Sequence, residues 1–450
     1  MNFFGKRILI THTIARNIMG STVVALELGE QLIKRGAIVD FYAYATGAPM
    51  IDKFKHIGVR IVTGEQQYEL EPAFYDFIWV QGQVLPLGFL TKLKATPIEQ
   101  LPIFIFHHMS PLKEAADERP YIYGVENNLS SLSLFISGNT RDAITPYLDK
   151  EVKTELFRNP APIAYCESKP TKPESELPKN ILIVSNHAPQ EVLNACESLR
   201  NNYGIAIDHI GFRGGMPALL DPATLVAHDC VITIGKTVQY CLVSGTPVYV
   251  YDKWGGYGYL NDDIYASAAE WNFAARNGRK MLADEIASDI IGGFVIASRW
   301  QESNRNRFIE EYSLDKALDR VFEQASRNSR TIISAFSDEE ILAAESAFVF
   351  SMRHWELWKH RDDTTEQIKT IRRNYEQSAE QVKQIEQGLR NATREIERLR
   401  SDNKKLRIAL EKAEKATSDL KSSRSYQLGR HVSLPYRKAR KIIKSLKKRN

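Results

Sequence analysis

Residues 228–260 read HDCVITIGKTVQYCLVSGTPVYVYDKWGGYGYL and contain the pattern that decides the fold. Cys230 to Ile234 is an apolar strand, and Gly235 frees the backbone for a tight turn into a helix. A small-residue turn around Gly245 then leads to a second apolar strand at Pro247 to Tyr251 and a glycine-rich loop. Strand, helix and strand in this order predict one unit of a parallel α/β sheet.

The same alternation of apolar strands and helical patterns fills the first 300 residues, in two series. The first has a helix at 22–35 that ends at Gly36, and strands at Arg7–Thr11, Ile38–Ala43, Phe77–Val80, Ile103–Phe106 and Leu134–Ile136. The second adds a helix at Pro189–Asn201 and strands at Asn180–Ser185 and Ala206–Ile210. Nearly continuous apolar strands are typical of parallel sheets that are covered on both faces.

A break separates the two series. The stretch ESKPTKPESELPK, which ends at Lys179, is rich in Pro, Glu, Ser and Lys, and it predicts an interdomain linker. The predicted segments are a first Rossmann-like domain at 1–165, the linker at 166–179, a second Rossmann-like domain at 180–325, a helical connector at 326–365, a coiled coil at 366–421 and a basic tail at 422–450. Ligands of such domains bind beyond the carboxyl ends of the strands, so we expect the site in the cleft between them.

A strict 3,4 spacing of apolar residues begins at Ile368 and continues for more than seven heptads, which predicts a coiled coil of roughly 80 Å. The a positions are Ile368, Tyr375, Val382, Leu389, Ile396, Asn403, Leu410 and Thr417, and the d positions are Ile371, Ser378, Ile385, Ala392, Leu399, Leu406, Ala413 and Leu420.

The register favours a parallel homodimer through residues 366–421. Asn403 occupies an a position, where a lone Asn fixes a parallel pair. Glu395 and Asp402 at g positions face Arg400 and Arg407 at e positions of a partner helix. The alternative is a long solvated helix that packs on its own domain.

Composition and charge exclude several classes of protein. The chain has 450 residues, is 43% hydrophobic and carries a net charge of +5, and its apolar runs are too short for a membrane span. The four cysteines have neither zinc-site spacing nor the density of a disulfide scaffold. The N-terminus lacks a cleavage site for a secretory signal, so the expected location is cytoplasmic.

The positive charge is concentrated at the C-terminus, where residues 420–450 hold eleven Lys or Arg and no acidic residue. After helix breaks at Gly429 and Pro435, the pattern predicts a short amphipathic helix with its apolar face formed by Ala439, Ile442, Ile443 and Leu446. Such a helix favours peripheral contact with an anionic membrane, here the inner membrane face. Nucleic-acid binding is the weaker alternative, because one aromatic residue and no recognition fold accompany the basic run; a solubilising tail is another.

Phosphate chemistry is indicated at the turn Gly235-Lys236-Thr237. Backbone amides, the helix dipole and the Lys236 ammonium together favour a diphosphate. A P-loop would need a glycine at Cys230, so the sequence disfavours a Walker ATPase. The alternative is an ordinary strand-to-helix turn with a solvated lysine.

The stretch from Gly235 through VSGTPVYVYDKWGGYGYL to NFAARNGR resembles the nucleotide-binding half of a bacterial subset of family 4-like glycosyltransferases, which have the GT-B fold. RILITHT, the Gly20-Ser21 turn, FISGNTRDAI and FRNPAP resemble the acceptor-side half of these enzymes. The likeness covers residues 6–325. It implies sugar transfer from a nucleotide-diphosphate donor to an acceptor in the cleft, without a bound cofactor or a protein-bound metal.

One departure from the family pattern bears on mechanism. Many family 4 enzymes carry two glutamates eight positions apart before the small-residue turn, and this chain has Ile232 and Tyr240 there. A retaining mechanism that uses this pair is therefore in doubt. The chain also has FAAR at 273–276 where related chains often have FSGR.

The candidate donor-binding residues follow from the charge of the leaving diphosphate, which cations and aimed amides stabilise. They are Arg213 in GFRGG, Gly235, Lys236 and Thr237, the amides near Gly255 and Gly256, and Asp252 for a ribose or sugar hydroxyl. An ordinary loop position is the alternative for each.

The candidate catalytic residues are His12, His107 and His108, which close two predicted strands and would deprotonate an acceptor hydroxyl or bind the donor sugar. A structural role at a strand end is the alternative. His107, His108 and Asp117 match no metal-ligand spacing, and nothing in the spacing of Glu126 and Glu270 brings these two carboxylates together.

The predicted function is sugar transfer from a nucleotide-diphosphate donor to a lipid-linked or polysaccharide acceptor in bacterial surface glycan synthesis. The rivals are a catalytically inactive GT-B scaffold that organises other enzymes through its coil, and a glycerophosphate-type transferase.

Overall fold

The computed structural model describes residues 1–82, 84–112, 123–170, 176–211, 214–215, 218–328 and 337–446. The strands are β1 Arg7–Ala15, β2 Ile38–Thr46, β3 Arg60–Val62, β4 Phe77–Gln81, β5 Ile103–His108, β6 Ser130–Phe135, β7 Thr154–Leu156, β8 Asn180–Val184, β9 Ala206–Ile210, β10 Cys230–Thr233, β11 Val248–Asp252 and β12 Gly255–Tyr259. The helices are α1 Gly20–Lys34, α2 Met50–His56, α3 Phe89–Ala95, α4 Tyr123–Leu129, α5 Gly138–Ile144, α6 Ile163–Glu167, α7 Gln190–Tyr203, α8 Pro222–Val226, α9 Lys236–Ser244, α10 Asp262–Glu270, α11 Ala283–Tyr312, α12 Leu314–Arg327, α13 Asp338–Ser422 and α14 Arg424–Leu446.

The first sheet has seven strands in the order β3-β2-β1-β4-β5-β6-β7, and every pair is parallel. The strand order reverses between β1 and β4, which creates a crevice at their carboxyl ends. Every side chain of β4 is buried, as expected for a strand covered on both faces. One apolar cluster covers each face of this sheet.

Helix α12 completes the first domain although it follows the second in sequence. Leu318, Val321 and Phe322 are buried in the core of the first sheet, and the Phe322 ring contacts the Phe3 and Phe77 rings edge to face with centroids 4.9 Å apart. The predicted second domain, 180–325, wrongly includes most of α12. The apolar stripe of α12 was visible in the sequence, but which sheet it covers depends on the path of the chain.

The second sheet has the order β12-β11-β10-β8-β9, with β12 antiparallel to β11 and the other pairs parallel. Apolar clusters again lie on both faces, one of them under α7 and α11. The predicted glycine-rich loop at Gly255 and Gly256 is wrong, because these residues begin β12. The predicted α/β fold class, with two Rossmann-like domains, is confirmed.

Two long helices form the C-terminal region, and by internal contacts residues 359–450 are a unit separate from residues 1–358. Helix α13 has 85 residues and α14 has 23. The predicted helix breaks at Gly429 and Pro435 are wrong, since α14 runs through both. Proline removes one backbone hydrogen bond of its helix, but α14 continues past it. Among the described residues, no helix has the length and apolarity to cross a membrane.

Candidate functional site

A cavity of about 720 Å³ lies between the carboxyl ends of the two sheets. Its walls include the loops after β8 and β10 and the last residue of β11 on one side and one face of α1 on the other, so both domains contribute to it. This is the crevice at which open α/β sheets bind ligands. A second cavity, of about 600 Å³ near Arg60, lies instead where β1, β2 and β3 begin.

The turn from β10 into α9 forms the part of the wall that was predicted to bind phosphate. Gly235 has φ +62° and ψ −137°, a backbone conformation that favours glycine, and Lys236 is the first residue of the helix. Gly235, Lys236 and Thr237 all line the cavity. The first amides of a helix have no partner within the helix and, with the dipole, favour an anion.

Lys236 is buried and bound by groups of the protein itself. Its Nζ lies 2.7 Å from Oε2 of Glu27 in α1, and it donates a hydrogen bond of 3.1 Å to the Pro160 carbonyl. The ammonium also lies 5.0 Å from the centre of the Tyr240 ring, within the range of a cation–π contact. The charge predicted for a diphosphate is therefore paired with a carboxylate of the opposite domain.

Glu27 is the site residue that the sequence analysis missed. It lines the cavity, and its Oε1 accepts a hydrogen bond from the Tyr240 hydroxyl. Burial raises the pKa of Glu27, and the nearby Lys236 charge opposes that effect. Tyr240 stacks on Tyr165 with ring centres 4.0 Å apart. The sequence signal was weak, because a glutamate on an amphipathic helix is usually solvated.

Asp252 lies where it was predicted to lie, at the end of β11 and on the cavity wall. Its Oδ1 accepts a hydrogen bond of 2.7 Å from the Lys253 amide. Burial raises the pKa of its carboxyl, whereas the Lys253 amide and His187, which also lines the cavity, act in the opposite direction. The Asp252 carboxylate, a hydrogen-bond acceptor, is thus held at the edge of the cavity.

Gly255 and Gly256 have a different role from the predicted one. The Gly256 amide donates to the Arg279 carbonyl at 3.0 Å, so it is not aimed at a ligand, and neither glycine lines the cavity. A Cβ on Gly256 would lie 2.3 Å from the Val250 carbonyl oxygen. A Cβ on Gly255 would lie 2.6 Å from the Arg279 carbonyl oxygen, so both glycines are needed because another backbone approaches each of them closely.

The three predicted catalytic histidines are buried, and the cavity wall does not include them. His108 Nε2 is 2.8 Å from Glu126 Oε1, which also accepts from the Ser133 hydroxyl. His107 packs edge to face against Trp79 and Phe157. The Nδ1 atom of His12 accepts from the Ile14 amide. Their placement favours the structural alternative over catalysis.

Burial lowers the pKa of His107 to about 3 and that of His12 to about 4. Both are then neutral in the folded chain, while the unfolded chain takes up a proton below about pH 6.5. The wild type therefore loses unfolding free energy as the pH falls from about 7.5 to about 5. We expect His107→Phe to lose about 2 kcal/mol less over the same range. Urea unfolding at both pH values measures this, with exposed His56→Phe as the control; equal pH dependence in both variants would contradict it.

Of the other predicted positions, some line the cavity and others do not. Gly20 and Ser21, at the start of α1, line the cavity. Glu270 lies 3.7 Å from Arg158 and remains apart from the buried pair of Glu126 and His108. Arg213 and Asp117 lie outside the described residues.

A strained loop junction borders the cavity. Asn159, Asn272, Phe273 and Ala275 have φ between +48° and +56°, a region that side-chain-bearing residues rarely adopt. The Asn159 Nδ2 atom donates to Asn272 Oδ1 at 3.1 Å and so joins the two domains. Backbone strain of this kind is concentrated at functional sites. Asparagine was the only sequence signal, and it is common in ordinary turns.

The charges on the described cavity wall are mixed. The carboxylates are Glu27, Glu30, Asp221 and Asp252, and the lysines are Lys34 and Lys236. Lys34 pairs with Glu30 at 2.7 Å. Among the described residues, no group of three or more His, Cys, Asp or Glu side chains is arranged to hold a metal ion.

No protein-family model matches the chain, and no curated protein matches it. Solved structures do. A glycosyltransferase from Rickettsia africae has 12% identity and a TM-score of 0.45, with 72% of this chain and 98% of that chain covered. MurG from Acinetobacter baumannii has 12% identity and a TM-score of 0.41, with coverages of 72% and 99%.

A TarM variant from S. aureus, crystallised with fondaparinux, α-GlcNAc-glycerol and UDP, has 10% identity and a TM-score of 0.45, with coverages of 71% and 99%. Since one fold serves many activities, the residues of the cavity carry the assignment of function.

Proposed function

We propose that the chain is a glycosyltransferase that moves a sugar from a nucleotide-diphosphate donor to an acceptor in the interdomain cavity. The observation that carries the proposal is the position of Gly235, Lys236 and Thr237 at the start of α9, in a cavity at the carboxyl ends of both sheets. A helix N-terminus and an ammonium stabilise the diphosphate as negative charge develops on it. The cavity has the volume of a small-molecule site.

In this proposal the donor and the acceptor bind to opposite walls of the cavity. Asp252 accepts hydrogen bonds from hydroxyls of the donor, beside the loop that holds the diphosphate. Gly20 and Ser21 on α1 lie on the opposite wall, where the acceptor would bind. Transfer breaks the bond between the sugar carbon and the diphosphate oxygen and forms a bond from that carbon to an acceptor oxygen. The acceptor's proton is released.

The products of the reaction test the proposal. The full chain is incubated with UDP-, GDP-, CDP-, dTDP- and ADP-sugars, and released nucleotides are separated by chromatography. Sugar transfer or slow donor hydrolysis releases a nucleoside diphosphate, and Lys236→Met abolishes it. Nucleoside monophosphate from a CDP-glycerol donor would instead support the glycerophosphate transferase.

The inactive scaffold is a second candidate, and the state of Lys236 favours it. The ammonium is paired with Glu27, and carboxylates outnumber lysines on the described cavity wall. Ile232 and Tyr240 are not carboxylates. Release of no nucleotide product from any donor would favour the scaffold.

Helix α14 supports contact with an anionic membrane surface and hence a lipid-linked acceptor of a surface glycan. At 100° per residue one stripe runs along the helix and contains Leu428, Val432, Pro435, Ala439, Ile442, Ile443 and Leu446. From Arg430 to Lys444 the Lys and Arg residues lie outside this stripe, whereas Arg424, the first residue of the helix, lies on it. Because α14 continues through Pro435, this stripe is longer than the sequence analysis predicted. An amphipathic basic helix of this kind lies in the headgroup region.

We expect Val432→Asp to weaken binding to vesicles that contain anionic phospholipid by about tenfold, because it places a carboxylate in the apolar stripe. Ser433→Asp adds the same charge to the basic side and is the matched control. Cosedimentation of the full chain with vesicles measures both variants. Equal losses would mean that charge alone determines binding, and the interfacial position of α14 would be wrong.

Helix α13 supports self-association as a parallel homodimer. In a single chain, large apolar side chains at the a and d positions from Tyr375 to Leu420 are exposed to solvent. Ile396, for example, is 50% exposed and Tyr375 is 74% exposed. Long apolar stripes of this kind are covered in stable proteins. A second copy of the same helix places Glu395 and Asp402 beside its Arg400 and Arg407.

A further inference from the structure

Glu27, the carboxylate paired with Lys236, is the part of the cavity wall to which the proposed function gives no role. The ion pair joins α1 of the first domain to α9 of the second, and 7% of the lysine side chain and 11% of the glutamate side chain are exposed. Water therefore screens the pair weakly. An anion that enters the cavity and binds Lys236 has to compete with a carboxylate that is already 2.7 Å from the ammonium.

The surroundings of Glu27 determine what happens when it loses Lys236. Glu30 on the same helix adds a second negative charge nearby. The Tyr165 hydroxyl donates to the Leu220 carbonyl, so it is not a donor to Glu27. The Tyr240 hydroxyl is the remaining donor among the described contacts of the Glu27 carboxylate. A buried carboxylate left with one neutral donor is unfavourable unless it takes up a proton.

We propose that the Glu27 carboxylate competes with the donor for Lys236. The diphosphate of the donor displaces Glu27 from Lys236 as it binds. This inference rests on the proposed function. Lys236 then changes partner from carboxylate to diphosphate, and Glu27 takes up one proton from solvent. The direction of the Glu27 pKa, raised by burial, agrees with this uptake. Glu27 acts through Lys236 and is a positioning residue.

The exchange makes the site selective for ligands of high negative charge density. A diphosphate offers several oxygens to Lys236 and to the α9 amides at once, so it can replace the carboxylate. A nucleoside, and to a lesser degree a monophosphate, offers too little charge to displace Glu27. The pair thus lowers the affinity for every ligand that has to displace Glu27 from Lys236, and only a ligand with high negative charge density gains enough from Lys236 to do so.

Glu27→Gln tests the exchange, because it keeps the shape of the side chain and removes its charge. We expect nucleoside diphosphates to bind the full-length variant about tenfold more tightly than the wild type. Glu30→Gln is the matched control, since Glu30 lies on the same helix and lines the same cavity but pairs with Lys34. We expect its effect to be under about threefold. Titration calorimetry with UDP, GDP, CDP, dTDP, ADP and inorganic diphosphate measures each dissociation constant.

Proton uptake is the readout that a merely structural role would not change. Calorimetry in two buffers of different ionisation enthalpy gives the number of protons bound with the nucleotide. We expect the wild type to take up more protons than Glu27→Gln, and its affinity to rise relative to that variant as the pH falls. Equal proton uptake, or weaker binding by Glu27→Gln, would overturn the inference.

The two proposals fail in different ways. If inorganic diphosphate binds Glu27→Gln more tightly but no nucleotide does, the competition stands and the donor class is wrong. If nucleotides bind the wild type and Glu27→Gln equally well, the donor class stands and the competition is wrong. If neither nucleotides nor inorganic diphosphate bind to either protein, both proposals fail.

Discussion

Lys236→Met lowers the free energy of unfolding of the full chain by about 3 kcal/mol, because it leaves the buried Glu27 carboxylate without its counter-ion. The Tyr240 hydroxyl alone does not replace a full positive charge. Urea unfolding at neutral pH measures the loss. Adding Glu27→Gln to this variant removes the unpaired charge, and we expect the double variant to recover to within about 1 kcal/mol of the wild type.

The matched control is Lys34→Met on the same cavity wall. Lys34 pairs with Glu30 at the same distance of 2.7 Å, but 61% of its side chain is exposed. Exposed pairs contribute little, so this variant should lose less than about 0.5 kcal/mol. Equal losses in the two lysine variants would contradict the assignment of a buried interdomain pair.

We expect Leu399→Glu combined with Leu406→Glu to separate the proposed homodimer into monomers. Both residues occupy d positions, where the dimer would bury them, so two charges in the seam should raise the dissociation constant about a thousandfold. Sedimentation equilibrium measures the mass, which we expect to be twice the chain's 51.2 kDa for the wild type and 51.2 kDa for the double variant.

Ile408→Glu is the control for the register. This residue is also apolar and 46% exposed, but it occupies an f position on the outer side of the coil. It should leave the mass unchanged. A wild-type chain that sediments as a monomer would contradict the dimer and favour the solvated helix.

Much of the fold was predictable because buried parallel strands are nearly continuous apolar runs. The strand at Phe77–Val80 was expected and is part of β4, and Ala206–Ile210 is β9 itself. Strand β12, with the sequence GGYGY, is not a continuous apolar run, and its three glycines indicated a loop, but it pairs with β11 as a strand. Pro435 predicted a helix break that the surrounding helix formers overcome.

The cavity's place was predictable from topology, and Lys236 from its position after Gly235. Glu27, the partner of Lys236, was not predictable. Tyr240 and Glu27 are 213 residues apart in sequence, and they meet only because the two domains close on each other. The histidines show the opposite error. His107 and His108 end β5 at the expected edge, whereas β1 continues past His12 to Ala15. The packing of Trp79 and Phe157 around His107 is a tertiary property.

Thermal unfolding of the full chain with UDP, GDP, CDP, dTDP or ADP tests the central claim most directly. A nucleotide at about 100 times its dissociation constant adds about 2.7 kcal/mol to the free energy of unfolding. We predict that at least one nucleoside diphosphate raises the melting temperature of the wild type and of Lys34→Met, and that Lys236→Met loses this rise. No rise with any nucleotide, or an equal rise in Lys236→Met, would contradict a donor site at the start of α9.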